Sequence, residues 1–442
     1  MYEIILGRKQ EDLEKFGKQG TIFIAKHYIQ MGREVSLANP VLLDVARPHV
    51  ILICGKRGSG KSYTLSSIAE EMANLPEEVS KNIASLFFDT MGIFWTMKYP
   101  NYRDEELLAK WGYEPQGLGN KVIVFTPHGH FDKMKNLGIP VDKPFSIPTG
   151  ELSGIEWCEL IGISPLEEAG VALEKAVNKL RKDVEKFEID DIISEIERSE
   201  FEEKVKKFLV NRLNVVKEWG LFRKEGTEIE EILQRGKISI IDLALYTQEV
   251  RGLSIKALVI GLLCKKILEK RILARRIEEL ALIERGYGYF RGFGERVKEQ
   301  IPLVWIFIDE AHEFIPEKGE TLASLPLIRI IREGRQPGIS LVMATQQPGK
   351  INTDVITQCD LVISHNVTAK IDIEALNNIM QTYLTYTIGK YLSMLPKRRG
   401  AAIVLDDNQE RVYPIQIKPK RSWHGGMEPS AISELESLRK KL

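Results

Sequence analysis

The sequence predicts an α/β protein in which helices flank a mainly parallel β-sheet and one helical segment is inserted into the sheet domain. Three observations carry this. Eight short apolar runs recur between turn residues and do not alternate, the pattern of strands buried on both faces. Helical stretches, apolar at every third or fourth position, separate many of them. One run enters a glycine-rich turn that ends in Lys-Ser and opens a helix.

In chain order, residues 1–47 begin "MYEIILGRKQEDLEKFG", charged after one short apolar run and without a signal-peptide profile, and read as a short N-terminal segment. The first part of the sheet domain, 48–149, holds the runs HVILICG (49–55), ASLFFDT (84–90) and KVIVFTP (121–127). Between 150 and 236 the pattern turns charged and helical, as in "EEAGVALEKAVNKLRKDVEKFEIDD", and reads as the insertion. The second part, 237–426, holds ISIIDLAL (238–245), LVWIFIDE (303–310), SLVMATQQ (340–347), DLVISHN (360–366) and AAIVLDD (401–407). A helix is expected there from about Ser254 to Glu284, and 427–442 remain as a C-terminal tail.

Among 442 residues, Lys+Arg and Asp+Glu are both 62, so no overall field attracts or repels a polyanion and any such surface must be local. Cys54, Cys158, Cys264 and Cys359 have no paired spacing, which argues against a zinc site or a disulfide framework and for a reducing, cytoplasmic setting. The most apolar stretch, ALVIGLLC from Ala257, is interrupted by Lys265 and Lys266, so no membrane span is expected.

The chemistry starts at Gly55-Lys56-Arg57-Gly58-Ser59-Gly60-Lys61-Ser62, which matches G-x-x-x-x-G-K-[ST] between a buried strand and a helix opened by Ser62 and Tyr63. The glycines let successive N–H groups face the phosphates of ATP, and the helix dipole adds to them. Lys61 would reach the β- and γ-phosphates, and the Ser62 hydroxyl would bind Mg²⁺. This is a P-loop NTPase signature. Such a site also needs a metal-holding carboxylate and a group to orient water; "WIFIDEAHEF" offers Asp309 for the first and Glu310 for the second. His312 stands beside them as a neighbour. Gln346, at the tip of the strand SLVMATQQ, is placed to sense the γ-phosphate. Arg329, Arg332 and Arg335 read as a helical cluster, either solvated or serving a neighbouring subunit's nucleotide.

GKRGSGKSYT (55–64), DTMGIFW (89–95), IFIDEAHEFIP (306–316), IREGRQPGISLVMATQQPGKI (331–351) and KRSWHGG (420–426) together resemble the HerA/FtsK superfamily of ring-forming P-loop ATPases, most closely its HerA-like branch. The resemblance implies a RecA-like ATPase domain, ATP and Mg²⁺, a hexamer moving on double-stranded DNA, and a nuclease or other effector partner. It gives Lys61, Ser62, Asp309, Glu310 and Gln346 the roles above. It favours Arg335 as the finger reaching across a subunit boundary, with Arg332 in reserve. Two departures stand out: 54 residues precede Gly55, too few for the small barrel that precedes this loop in HerA, and Ile93 stands where the family often has an acid, although Asp89 keeps its place. A ring ATPase that switches a partner without moving on DNA is the alternative. For DNA contact, the basic stretch from Lys265 to Lys298, with the glycine- and aromatic-rich RGYGYFRGFGERVK at 285–298, reads either as a pore-facing element or as an ordinary amphipathic helix with a connector.

Overall fold

The computed structural model describes residues 2–31, 34–184, 186–246, 255–286, 300–379 and 388–426. Its strands, in chain order, are β1 (Ile4–Leu6), β2 (Thr21–Met31), β3 (Glu34–Asp44), β4 (Val50–Cys54), β5 (Ile83–Asp89), β6 (Val122–Pro127), β7 (Lys143–Phe145), β8 (Ile147–Pro148), β9 (Phe222–Arg223), β10 (Ile238–Asp242), β11 (Leu303–Ile308), β12 (Ile339–Thr345), β13 (Leu361–His365), β14 (Ala401–Asp406) and β15 (Arg411–Ile417). Among the described residues thirteen of these form one sheet in the order β1-β3-β2-β15-β14-β13-β4-β12-β11-β5-β10-β6-β7. From β13 to β7 every pairing is parallel. All eight apolar runs are strands of this sheet.

The runs do not alternate because both faces are covered. On one face Ile51, Ile53, Phe87, Trp305, Phe307 and Val342 pack with Leu65 and Ile68 of the helix that follows the phosphate loop, Lys61–Ala73. Phe87 and Phe307 stack there at 4.4 Å between ring centres. On the other face Leu52, Phe88, Ile306, Ile308 and Met343 meet a long helix, Ile255–Gly286, and the helices of the 154–218 region. Those helices are Gly154–Ile161, Glu168–Asp183, Ile189–Glu197 and Glu203–Glu218. The first is started by a capping box in which Ser153 and Glu156 satisfy each other's backbone N–H groups. Trp157, Leu173, Ile192 and Leu213 join this region to the sheet's core.

The first 47 residues contain strands that no apolar run announces. β2 and β3 form a hairpin that joins the sheet through β15, so the N-terminal segment extends the sheet. A buried ion pair, Arg8 to Asp44 at 2.6 Å, and the Gly7 N–H donating to Asp406 Oδ2 at 2.8 Å lock β1 in place. Among the described residues no helix is long and apolar enough to cross a membrane. The four cysteines are buried and free.

Candidate active site

The phosphate loop lies between β4 and its helix. Gly55 is obligatory there: a Cβ would meet Ser59 Oγ at 2.5 Å and His365 Cβ at 2.7 Å, and its φ is 155°. The Lys56 N–H donates to Asn366 O at 2.9 Å, which anchors the loop to the end of β13. Beneath it, buried His365 lies 3.1 Å from Ala401 O through Nδ1 and 2.9 Å from Thr64 Oγ1 through Nε2. Burial pushes this imidazole down to about 4, so the loop rests on a neutral ring. Lys56, Arg57 and Gly58 are exposed, whereas Ser59, Gly60, Ser62 and Tyr63 are half-buried. Lys61 is buried and its Nζ donates to Lys56 O at 3.4 Å. Burial draws its pKa down while the carboxylates of Glu310 and Asp309 act against that.

Parallel pairing brings the acid strand to the loop. β12 lies between β4 and β11, so the ends of the three strands carry the loop, Gln346 and the two acids side by side. Ser62 Oγ donates to Asp309 Oδ2 at 2.5 Å. The Asp309 carboxyl is pushed up to about 6, chiefly by burial and further by the Glu310 charge, against the Ser62 hydrogen bond. Glu310 has left-handed backbone angles, φ 51° and ψ 44°, rare for a residue with a side chain and a form of strain associated with functional sites. Its Oε1 accepts from the Gln346 amide, while Oε2 is buried with no hydrogen-bond partner among the described residues. His312 Nδ1 lies 3.6 Å from that oxygen and 3.1 Å from Thr345 Oγ1. His312 is therefore a neighbour that touches the site.

Among the described residues no cluster of three or more His, Cys, Asp or Glu could hold a metal on its own. Ser62 and Asp309 instead form the kind of half-shell that suits a magnesium ion completed by phosphate oxygens and water. The Asp309 carboxyl fits a cation by its placement: it is buried beside the Ser62 hydroxyl and has no ion-pair partner among the described residues. Bound there, Mg²⁺ would neutralise charge on the β- and γ-phosphates.

The arginines separate. The helix Ser324–Glu333 ends before Arg335, so that residue lies in the turn beyond the helix and not on it, as the apolar period had suggested. Gly334 still has helical angles, φ −66° and ψ −22°, and its N–H closes onto Ile330 O at 2.8 Å; Pro337, which has no N–H to donate, lies three residues on and keeps the helix from continuing. Arg329 pairs with Glu333 at 3.1 Å and Arg332 with Asp354 at 2.7 Å. Arg335 is exposed and has no ion-pair partner among the described residues. Asp89 is buried and accepts N–H groups of Gly92, Ile93 and Phe94, so it shapes the loop after β5. Along the long helix much of the basic charge is matched within the chain. Five of the six basic residues from Lys265 to Arg276 sit in ion pairs, three of them with Glu156, Glu151 and Glu230, and Arg271 is fully buried. RGYGYFRGFGERVK lies outside the described residues apart from the helix end at 285–286, and so does the tail at 427–442.

Residues 29–267 match the family model "Helicase HerA, central domain", more than half of the chain. The chain belongs to the HerA family of P-loop ATPases. It is 25% identical over 167 residues to the DNA double-strand break repair helicase HerA of Pyrococcus furiosus, covering 36% of this chain and 28% of that protein. It is 30% identical over 154 residues to its Methanocaldococcus jannaschii counterpart, covering 31% of this chain and 27% of that protein. The chain thus spans less than a third of either relative in alignment. The structure of VirB4 from Thermoanaerobacter pseudethanolicus superposes with a TM-score of 0.53 at 13% identity, covering 91% of this chain and 97% of that one, which shows a shared fold.

One part of this HerA-family site has no chemical signature in the sequence. Residues 418–426 cross the loop helix and place Trp423 and His424 beside Tyr63 in the wall of a cavity that opens at the loop. KRSWHGG was the available signal, and it carried the family resemblance without indicating where it docks.

Proposed function

We propose that this HerA-family chain hydrolyses ATP with Mg²⁺ as a subunit of a hexameric ring motor, and that the ring moves along double-stranded DNA in the cytoplasm beside a nuclease or other effector. One observation carries the hydrolytic part: Glu310 is held in strained backbone with one oxygen fixed by Gln346 and the other free to take a proton, next to the Ser62–Asp309 pair. In this reading Lys61 and the loop N–H groups bind the phosphates, Ser62 and Asp309 hold the metal, and Glu310 orients and deprotonates the attacking water. Gln346 ties the position of Glu310 to the γ-phosphate. Arg335, exposed beyond its helix, serves the nucleotide of the adjacent subunit, with Arg332 in reserve because Asp354 already holds it.

The second reading, an ATPase that switches a protein partner without moving on DNA, is favoured by the long helix, whose basic residues are largely paired with acids of the same chain. An ATPase assay with and without long linear duplex DNA, on protein whose mass in solution has been measured, separates the two. Stimulation by duplex on a hexamer supports the motor. A hexamer indifferent to DNA and dependent on a protein partner supports the switch, and a monomer hydrolysing at full rate sinks both.

A further inference from the structure

A phosphate loop recognises phosphate and is blind to the base, because its donors are backbone N–H groups and one lysine. Which nucleotide a chain takes is decided by whatever lies past the phosphates. Here a cavity of about 640 Å³ opens from Gly58, Gly60 and Lys61. Its described walls include none of Asp309, Glu310 and Gln346, so it leads away from the end of the site where the γ-phosphate would react. Tyr63, Trp111, Trp423 and His424 line it together with the 101–107 region. Aromatic walls continuous with a phosphate site suit a nucleoside.

Two of those aromatic groups come from the 418–426 segment, which is fixed to the loop helix with unusual firmness. Glu70, fully buried on that helix, accepts from Lys418 Nζ at 3.1 Å, from the N–H groups of Arg421 at 3.0 Å and Ser422 at 2.8 Å, and from the Ser422 hydroxyl at 2.5 Å. Lys420, also buried, donates from Nζ to Ser66 Oγ at 2.8 Å, and its N–H meets Tyr63 OH at 2.5 Å. On the opposite side the Trp423 N–H donates to Tyr99 O at 2.7 Å and Arg421 O accepts from Asn101 N–H at 2.9 Å. Burying three charged groups gains little stability over apolar packing, but it fixes register, since a slip by one residue would strand a charge. The register held here is that of Trp423 and His424 against Tyr63, which directly follows Ser62. Tyr63 and His424 meet edge to face at 5.2 Å, and the Arg103 guanidinium lies 4.8 Å from the Trp423 ring centre. Burial keeps His424 neutral, with its pKa pushed down to about 3, so the wall carries no charge from that ring.

We propose that this cavity is a nucleoside subsite in which Trp423, His424 and Tyr63 hold a purine base, so that the strap at 418–426 selects the nucleotide. The proposal rests on the reading of the phosphate loop as the ATP site. Purines offer the larger face for stacking, and base–aromatic stacking typically contributes enough to change affinity tenfold to a hundredfold.

The test measures binding of ATP, GTP, CTP and tripolyphosphate, each with Mg²⁺, to the full chain by calorimetry, and repeats it for Trp423→Ala, Trp423→Phe, His424→Ala and Lys61→Ala. The parent is expected to bind ATP and GTP at least about tenfold more tightly than CTP or tripolyphosphate. Trp423→Ala should bring ATP affinity down about tenfold or more, towards that of tripolyphosphate, whose own affinity stays unchanged. Trp423→Phe should restore most of the loss, and the effect on hydrolysis should fall on KM with kcat at saturation little altered. If Trp423→Ala does not fold, His424→Ala carries the same comparison. Equal affinity of the parent for ATP and CTP, or ATP binding by folded Trp423→Ala and His424→Ala at the parent's strength, overturns the subsite. Lys61→Ala reports separately on the phosphate loop: undiminished binding there overturns the ATP-site reading, whereas its loss alongside unaffected strap variants overturns only the subsite.

Discussion

Replacing Glu310 by Gln changes one oxygen of a carboxylate and little else in volume. In the structure one oxygen accepts from Gln346 and the other, Oε2, is buried with no hydrogen-bond partner among the described residues. The amide of Glu310→Gln can still accept from Gln346 through its carbonyl oxygen, but its nitrogen cannot take a proton from water. A positioned general base contributes on the order of 10²–10⁴ in rate, so kcat should fall at least about a hundredfold, which is ~2.7 kcal/mol on the barrier. Nucleotide binding should stay within about threefold, because the phosphate contacts at Lys61 and the loop N–H groups are untouched. Steady-state phosphate release and calorimetric ATP binding, measured on the same preparation, read the two quantities independently. Turnover within tenfold of the parent would refute the assignment of Glu310, and a matching loss of binding would mean that its charge holds the nucleotide and does not activate water.

Arg335→Ala and Glu310→Gln subunits, each inactive alone, should recover activity when mixed, since some mixed interfaces then pair an intact Glu310 with an intact Arg335; a mixture no more active than its parts removes Arg335 from that role. Gly55→Ala should lose roughly tenfold or more in ATP affinity, about 1.4 kcal/mol, while remaining folded by circular dichroism, because the new Cβ displaces Ser59 and His365 from the loop. The buried pair His49–Asp360, 2.6 Å apart, makes stability depend on pH. Burial alone would depress the imidazole, but the Asp360 hydrogen bond and charge carry its pKa upward; burial would raise the Asp360 carboxyl, but His49 carries it downward. The histidine's contribution is complete below its ordinary value of 6.5 and is lost as pH rises through its raised pKa. The carboxylate's is complete above 3.8 and is lost as pH falls through its lowered pKa. The difference in Tm between the parent and Asp360→Asn should therefore be greatest between those two values and narrow at higher pH; a difference that stays constant from pH 5 to 9 would count against the pair.

The sequence alone determined the sheet's middle and the chemistry at its edge. Strands such as LVWIFI and ISLVMAT are apolar throughout because helices cover both sides, and that composition is legible without knowing which helices they are. The loop from Gly55 to Ser62, and the Asp309–Glu310 pair, were legible because each is a contiguous motif whose spacing is set by local backbone geometry. β2 was not, since its TIFIAKHYIQM mixes polar with apolar residues and buries only some of them, Ile22, Ile24, Ala25 and Tyr28 among them, and β15 hides in RVYPIQI because only alternate residues, Tyr413, Ile415 and Ile417, are buried. Helical periodicity put Arg335 on a helix that ends two residues before it, at Glu333, because period alone does not show where the backbone ladder stops. The basic count along the long helix suggested a polyanion surface, and only the acids brought opposite it from residues 151, 156 and 230 show how much of that charge is already matched. Glu70 holds Ser422, 352 positions away, and Gln346 reaches Glu310 across two neighbouring strands. Contacts of that kind leave no periodic trace, because burial and pairing depend on which segments the folded chain brings together, and so the nucleoside end of the site was decided by tertiary structure while its phosphate end was written in the sequence.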